Sequence, residues 1–440
     1  MQHSHEALDR PGGFARGGLL SPLRHRDFAV LWAGMTVSLV GDGIFLIAIA
    51  WESYVLWNAP AALSIVSIGM TVPTIVFLLF GGVVSDRRDR RVVMAWADGV
   101  RAVAVGILAV LVFAHQLRFW ELVALVAVYG AGTAFFTPAF EAIVPDLLPD
   151  AELPAANALD QFVRPIALRL VGPVAGGGLV AASAGFAFAL DAVSFAATFV
   201  AVLTIRPRRR APGQTYPSTA AAVKEGLRFV RSRTWLWGTL LSAAIAYLVF
   251  LGPAEVLLPF VVKNELHASA GTFGLVLAAG GVGAVGAAAL IGHRGHPRRD
   301  VTLMYATWTL ATLAIAGYGL ATAAWQLMLA CLAFNGLEAA GTIVWATIKQ
   351  RHVPGALLGR VSSLDWLISI GLLPLSFAMT APVAAAVGAR ATLVGAAVIG
   401  AVVTLAAYFL PGMRDIERGK SASLDAPLVP TPSASAAPLR

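Results

Sequence analysis

The sequence predicts an all-α polytopic membrane protein with twelve transmembrane helices in two six-helix bundles. Of its 440 residues, 58% are hydrophobic and only 13% are charged, which is too little charge to cover a soluble protein of this size. Apolar runs of about 20 residues or more, the length that crosses a bilayer, recur along the whole chain. These runs are continuous rather than alternating, which argues against a β-barrel.

Twelve apolar segments, numbered spans 1 to 12, are separated by turns that carry glycine, proline or charge. Their predicted bounds are 28–56, 61–84, 92–113, 120–143, 157–181, 184–205, 235–262, 269–292, 301–321, 324–347, 359–386 and 389–411. An even number of spans places both chain ends on one side of the membrane. We expect no cleavable signal peptide, because the first 27 residues are polar and the first apolar stretch is span 1 itself.

The distribution of basic residues predicts the orientation. Of the 32 lysines and arginines, 26 lie in the tails and in the turns on the same side as the tails. Only three, Arg118, Lys263 and Arg390, lie in turns on the other side. Since basic residues stay on the cytoplasmic side, both termini are predicted to be cytoplasmic in the cell membrane. The net charge of +8 therefore reflects topology, and no nucleic-acid partner is expected.

A basic segment between spans 6 and 7 divides the chain into halves. Its second part places Val223, Leu227 and Val230 on one helical face, which predicts a short amphipathic helix at the lipid surface; the alternative is a disordered basic linker. The tail from Lys420 is rich in Ser, Ala and Pro and is predicted to be disordered. The predicted domains are an N-terminal tail (1–27), a first bundle (28–205), the linker (206–234), a second bundle (235–412) and a C-terminal tail (413–440).

The turn between spans 2 and 3 is strongly basic, which keeps it out of the lipid. Its pattern Gly82-x-x-x-Asp86-Arg87-x-x-Arg90-Arg91 resembles the loop between helices 2 and 3 of the major facilitator superfamily. The resemblance implies a conformational latch; the alternative is a topology signal with no mechanical role. Asp98 and Arg101 are spaced to pair on one helical face, and the resemblance places Asp86 near the start of span 11. The predicted gating residues are Gly82, Asp86, Arg87, Arg90, Arg91, Asp98, Arg101 and Arg360.

Further stretches resemble one branch of that superfamily, the macrolide-efflux and enterobactin-exporter-like group. They include Gly41-Asp42 in span 1, Phe136-Thr-Pro138 in span 4, Asp191-Ala-Val-Ser194 in span 6 and Leu358-Gly-Arg360 before span 11. The resemblance implies alternating-access export of a small amphipathic or hydrophobic molecule, such as a drug, a macrolide-like compound or a siderophore. Protons are the expected coupling ion, although residues 120–144 lack the arginine that many proton-driven relatives carry in this helix.

Span 5 contains Gly172-Pro173-Val-Ala-Gly176-Gly177, which resembles the antiporter signature of drug-exporting members. The match is partial, because Ala167 and Leu168 stand where a further glycine is expected. Proline removes a backbone hydrogen bond and bends the helix, and glycines allow a neighbouring helix to approach closely. The functional interpretation favours export, and the alternative is ordinary helix packing.

Ionisable groups inside the spans are costly in lipid and mark functional candidates. Asp42, in the middle of span 1, and Glu338, in span 10, are the first candidates for proton binding or substrate contact. Arg169 is predicted to meet an anionic substrate or a carboxylate. Asp191 and Glu255 lie nearer the outer ends of their spans, where hydrated vestibule groups or structural ties are expected. The alternatives are an aspartate bonded to helix backbone or to a neighbouring serine for Asp42, a packed glutamate bonded to Asn335 or to a threonine for Glu338, and a structural pair for Arg169.

No cofactor, metal site or catalytic activity is expected. The match Gly281-x-Gly283-x-x-Gly286 to a dinucleotide motif lies inside an apolar span, which favours helix packing. Gly419-Lys420-Ser421 lacks the rest of a phosphate loop, and the single Cys331 excludes a disulfide framework. The expected partners are a small-molecule substrate, protons and the lipid bilayer, with the chain as a monomer. Alternatives are an uptake transporter or facilitator of the same fold, a membrane enzyme, or a non-transporting scaffold or sensor.

Overall fold

The computed structural model describes residues 20–149, 152–206, 219–294 and 299–417. Within these ranges the regular structure is helical, and twelve helices are long and apolar enough to cross a membrane. They coincide with the predicted spans apart from small shifts at their ends, so the predicted fold class is confirmed. The predictions for the outer parts of both tails, and for the first part of the linker, fall outside the described residues.

Most spans are single helices, and four contain a break or a change of pitch. The bounds are Arg26–Leu56, Pro60–Arg87, Arg90–Phe113 and Phe119–Leu147 for spans 1 to 4; Leu153–Ile166, the π turn Ala167–Val171 and Gly172–Ala182 for span 5; Ala184–Thr204 for span 6; Thr234–Phe260 with the π turn Val261–Glu265 for span 7; Ala270–Arg294 for span 8; Asp300–Ala314 and Ala316–Leu320 for span 9; Ala324–His352 for span 10; Gly355–Gly371 and Leu373–Val387 for span 11; and Ala389–Tyr408 for span 12.

Local sequence explains where several spans begin and end. Pro60 opens span 2, where its missing N–H costs nothing. Asp89 caps span 3 by accepting a hydrogen bond from the backbone N–H of Arg91 at 3.0 Å. The hydrogen bond from the Arg91 side chain lowers the pKa of Asp89, so this cap is ionised at neutral pH. Between spans 11 and 12, Gly388 has a φ of 88°, a conformation that favours glycine.

The two bundles meet mainly along two lines, where span 5 packs on span 8 and span 2 packs on the second helix of span 11. Spans 1 and 2 also contact span 7. Glycines allow the approach of spans 5 and 8: a Cβ on Gly274 would lie 2.9 Å from the Cα of Gly177. In membranes, such contacts between small residues replace the hydrophobic effect as the source of helix association.

The space between the bundles, called the central gap, is closed at one membrane face and open at the other. The terminal face is the one where the described chain begins and ends, at Leu20 and Glu417. At the opposite face one apolar core runs through both bundles. There the Tyr54 hydroxyl donates to the Val256 carbonyl at 2.6 Å, and the Lys263 ammonium donates to the Tyr54 carbonyl. At the terminal face each bundle has its own core, so the gap opens towards that face.

A helix at Thr219–Arg231, the linker helix, precedes span 7. It packs on span 7 and on the first helix of span 11. Val230 is buried in the core of the second bundle, whereas Leu227 is exposed; the side chain of Val223 lies outside the described residues. The predicted apolar face is therefore only partly in contact with the protein. Gly226 allows the close approach to span 11, because a Cβ there would lie 3.2 Å from Arg360 Cβ.

Candidate functional site

The first bundle holds a buried ion pair. Asp98 and Arg101 are only 0% and 3% exposed and form the predicted salt bridge within span 3. The Arg101 guanidinium also lies over two aromatic rings, 4.3 Å from the centroid of Phe195 and 4.6 Å from that of Phe136. Gly132 provides the room, since a Cβ there would lie 2.7 Å from Arg101 Cγ. This pair was predicted at the gating mouth, but it lies inside the bundle.

Asp42 joins this pair from span 1. Its carboxylate accepts a hydrogen bond of 2.6 Å from the Tyr129 hydroxyl of span 4, and it is half-buried. Gly41, which precedes Asp42, leaves no room for a side chain. A Cβ there would lie 2.5 Å from the Ser194 hydroxyl and would overlap the Asp191 carboxylate. The Gly-Asp dipeptide therefore brings spans 1 and 6 together at a carboxyl pair.

Asp191 completes the group, which we call the buried acid cluster: Asp42, Asp98, Arg101, Tyr129 and Asp191. Its carboxylate accepts a hydrogen bond from the Ser194 hydroxyl and lies within electrostatic range of the other two aspartates and of Arg101. Of the two predictions for Asp191, the hydrated vestibule position is excluded and the structural tie is supported, because span 6 packs this face against spans 1 and 3 and buries it fully. Asp98 Oδ2, Asp191 Oδ2 and Arg101 Nε lack hydrogen-bond partners among the described residues.

The gating loop is tied to its own bundle. Arg90 pairs with Asp146 and donates to the Ala142 carbonyl, while Arg91 pairs with Asp89 and donates to the Ile205 carbonyl. Arg87 is exposed, and the side chain of Asp86 lies outside the described residues.

The other half of the predicted latch lies apart from this loop. Arg360 was expected to lie near it, but Arg360 pairs with Glu225 of the linker helix. The reason is that the terminal face is open between the bundles.

A Cβ on Gly82 would have nothing within 4 Å, whereas a Cβ on Gly81 would lie 3.1 Å from the Ala134 backbone. In this conformation the close contact of spans 2 and 4 depends on Gly81.

A lateral groove of about 590 Å³ lies on the side of the first bundle, away from the central gap. Spans 2, 3 and 4 form it, with Val84, Trp96 and Phe135 on its apolar walls and Arg88 and Asp89 at its rim. It contains no member of the buried acid cluster.

The antiporter-like segment of span 5 forms close contacts on two sides. A Cβ on Gly172 would lie 2.6 Å from the Cα of Gly43 in span 1, and one on Gly176 would lie 3.0 Å from the Cα of Ile44. Gly177 faces the other way, towards Gly274 of span 8. Pro173 cannot donate a backbone hydrogen bond, and the π turn directly precedes Gly172. The segment therefore joins span 1 to the second bundle, and the π turn before it changes the pitch of span 5 at Arg169.

Arg169 crosses the central gap from span 5 to span 10. Its guanidinium donates to Asn335 Oδ1 at 3.2 Å and lies 3.9 Å from Glu338 Oε2. Asn335 is oriented by donating to the Cys331 carbonyl at 3.0 Å, and Glu338 accepts from the Thr342 hydroxyl at 3.0 Å. The predicted contact of Arg169 with a carboxylate is therefore present, and it joins the two bundles.

Glu255 lies on the span 7 side of the same gap. Its side chain is exposed and lies within electrostatic range of Arg169. Arg169, Glu255 and Glu338 are called the central charged group. The two first candidates for proton binding or substrate contact are thus separated, because Asp42 belongs to the interior of the first bundle and Glu338 to the gap.

The glycine pattern in span 8 serves packing, as predicted. A Cβ on Gly281 would lie 2.6 Å from the Arg169 carbonyl carbon, and one on Gly283 would lie 3.0 Å from that of Leu332. A Cβ on Gly286 would have nothing within 4 Å. Across the described part of the chain, no group of three His, Cys, Asp or Glu side chains is placed to hold a metal ion.

Residues 17–436 match a major facilitator superfamily (MFS) family described as transmembrane secretion effector. The chain belongs to this MFS family. Macrolide efflux protein A of Streptococcus pyogenes is 25% identical over 82% of this chain and 90% of that protein. The multidrug efflux pump Tap of Mycolicibacterium fortuitum is 28% identical over 88% and 96%, and the enterobactin exporter EntS of Citrobacter koseri is 27% identical over 77% and 81%.

Solved structures show the same MFS fold. A bacterial homologue of the iron transporter ferroportin aligns in its inward-facing state with a TM-score of 0.66 at 17% identity, over 87% of this chain and 99% of that one. Its outward-facing state aligns with a TM-score of 0.54 at 18% identity, over the same shares of both chains. The chain is therefore a multi-pass MFS membrane protein, and its relatives are transporters rather than enzymes.

Two site residues of this MFS chain escaped sequence analysis as parts of a site. Tyr129 links span 4 to Asp42, and Lys263 links span 7 to span 1 at the closed face. The hydropathy pattern carries no signal for either, because an amphipathic side chain is tolerated at many positions in a membrane helix.

Proposed function

We propose that the chain is a secondary active exporter that moves a small amphipathic or hydrophobic molecule by proton antiport with alternating access. The relatives' activities of macrolide efflux, multidrug efflux and enterobactin export support export over uptake. The observation that carries the proposal is the separation of two charged sites. One is an acid cluster inside the first bundle in which Asp98 and Asp191 are fully buried, and the other is a charged group in the gap between the bundles.

The terminal face is the cytoplasmic face in this proposal, because the basic residues concentrate there. The gap then receives substrate from the cytoplasm or the inner leaflet. In the reverse state the contacts of Tyr54 with Val256 and Lys263 separate, and the gating loop meets the start of span 11. The positive N-terminal end of that helix favours a carboxylate such as Asp86.

Replacing Asp86 with asparagine is expected to give a folded protein with slow turnover, because the amide lacks the charge that the helix end attracts. The measurement is the efflux rate in inverted vesicles, divided by the amount of protein in the membrane. Glu265→Gln, in an exposed pair with Arg390 at the opposite face, is the matched control. Equal turnover of the two variants would remove the latch from the mechanism.

The buried acid cluster is the proposed proton site. Three carboxyl groups face one guanidinium, and surplus charge is unfavourable away from water. Asp98 and Asp191 are fully buried, whereas Asp42 is half-buried. Asp42 is therefore the member through which a proton exchanges with the gap, and Tyr129 orients its carboxylate for that exchange.

Asp42→Asn is expected to reduce pH-driven efflux to the level of vesicles without the protein, because an amide exchanges no proton. Substrate counterflow without a pH gradient, which needs no net proton movement, is expected to persist. The test uses proteoliposomes, a macrolide as probe and an imposed pH gradient. Full pH-driven efflux by this variant contradicts the proton role of Asp42, and accumulation of probe in intact cells contradicts export.

A further inference from the structure

We infer that the central gap selects amphiphiles carrying a single positive charge, with Glu255 and Glu338 as their counter-ions and Arg169 as an internal cation that the substrate displaces. The inference rests on the proposed function only in taking the gap as the transport site. It names a charge class that the relatives' activities leave open, since their substrates include macrolides, multiple drugs and a siderophore.

The charge count in the gap is the first argument. Glu338 of span 10 lies 3.9 Å from the Arg169 guanidinium of span 5, and Glu255 of span 7 is within electrostatic range of the same guanidinium. Glu338 has Thr342 and Arg169 as partners, while Glu255 has no hydrogen-bond partner among the described residues. One negative charge is therefore left without a counter-ion, and it attracts a cation and repels an anion.

The second argument is the looseness of the internal pair. Arg169 and Glu338 are 3.9 Å apart, and their side chains are 50% and 22% exposed. A solvent-exposed pair of this kind contributes little to stability. A ligand cation that contacts both carboxylates can therefore displace the guanidinium at little cost. Arg169 keeps its hydrogen bond to Asn335 and need not leave the gap.

The third argument is the apolar surface beside the charges. Tyr247 of span 7 lies within electrostatic range of Glu338 and Arg169. Its ring is 5.5 Å from that of Phe250, which is buried and lies 6.1 Å from the half-buried ring of Phe334. The half-buried ring of Tyr247 beside Glu338 suits a lipophilic ammonium or phosphonium ion, because a ring face attracts cations.

The test compares two probes of the same shape and opposite charge, tetraphenylphosphonium and tetraphenylborate. Their binding to the purified full-length chain in nanodiscs is measured at equilibrium, without any gradient. We expect tetraphenylphosphonium to bind at least about tenfold more tightly than tetraphenylborate, because one uncompensated charge at contact distance exceeds the 1.4 kcal/mol that a factor of ten requires. Absent tetraphenylphosphonium binding, or equal or tighter tetraphenylborate binding, overturns the inference.

Variants then test the named residues. Glu255→Gln and Glu338→Gln are each expected to weaken tetraphenylphosphonium binding about tenfold or more, whereas Arg169→Gln is expected to strengthen it. This opposite sign separates a charge role from structural damage, which weakens binding in every variant. Glu265→Gln, outside the gap, is the control. Weaker binding by Arg169→Gln, or unchanged binding by both glutamate variants, overturns the inference.

Failure of this inference and failure of the proposed function give different experimental results. Charge-selective binding that depends on the glutamates, without pH-driven efflux, supports the inference and refutes the proposed function. Efflux of tetraphenylborate driven by a pH gradient supports the proposed function and refutes the inference.

Discussion

Replacing Arg101 with glutamine is expected to remove most of the folded protein from the membrane. The guanidinium pairs with Asp98, lies within electrostatic range of Asp42 and Asp191, and packs against two aromatic rings. Removing one partner of a buried ion pair costs about 3–5 kcal/mol, because the other charge is left without compensation. That cost is a large part of a total stability of about 5–15 kcal/mol.

Arg164→Gln is the matched control for Arg101→Gln. Arg164 also lies in a span of the first bundle and within electrostatic range of Asp42, but it is 41% exposed and pairs with Asp160 one turn away, so its loss costs about 0–1 kcal/mol. Membrane abundance and thermal unfolding in detergent are the measurements. Adding Asp98→Asn to Arg101→Gln is expected to restore part of the stability by removing one uncompensated charge. If Arg101→Gln and Arg164→Gln are equally abundant and stable, the charge balance of the cluster is not what holds this bundle.

Replacing Gly281 with alanine is expected to abolish most transport. The new Cβ would overlap the Arg169 backbone carbonyl, whose carbon lies 2.6 Å from that position. Backbone cannot move aside as a flexible side chain can, so spans 5 and 8 must separate and shift Arg169 within the gap. Overpacking of this kind costs about 1–3 kcal/mol, and here the strain lies at the line where the two bundles meet.

Gly286→Ala, one and a half turns further along span 8, is the control for Gly281→Ala. A Cβ there has open space, so its effect on stability is expected within about 0.5 kcal/mol. Both variants are compared for efflux rate per molecule and for melting temperature. Similar efflux by the two would show that the contact of spans 5 and 8 can relax without consequence.

Local patterns led to correct structural predictions where the physics is local. Asp98 and Arg101 are three residues apart on one helix, so helical geometry alone brings them together, and the structure confirms their pair. The packing role of Gly281 and Gly283 followed from glycines inside an apolar segment. The gap-crossing contact of Arg169 with Glu338, by contrast, was predicted only as a contact with some carboxylate.

The failures concern the rotation of helices and the state of the gap. A hydrated vestibule position was one of the two predictions for Asp191 from its place along span 6, yet span 6 turns that side chain onto span 1, where Gly41 leaves room for it. Arg360 was placed near the gating loop, but the open terminal face leaves it with Glu225. Position along a span is visible in hydropathy, whereas the direction of a side chain around the helix axis is not.

The sequence by itself determined the number, bounds and membrane crossing of the twelve helices. In lipid every backbone polar group must be satisfied within a segment, so an apolar run of sufficient length has one solution, a spanning helix. Only the tertiary structure decided which buried charges meet: three aspartates from spans 1, 3 and 6 around Arg101, and Arg169 with Glu255 and Glu338 across the gap. Whether these charges meet depends on how each helix is rotated and how closely it approaches its neighbours. Contacts between glycines and the backbone of helices distant in sequence decide both.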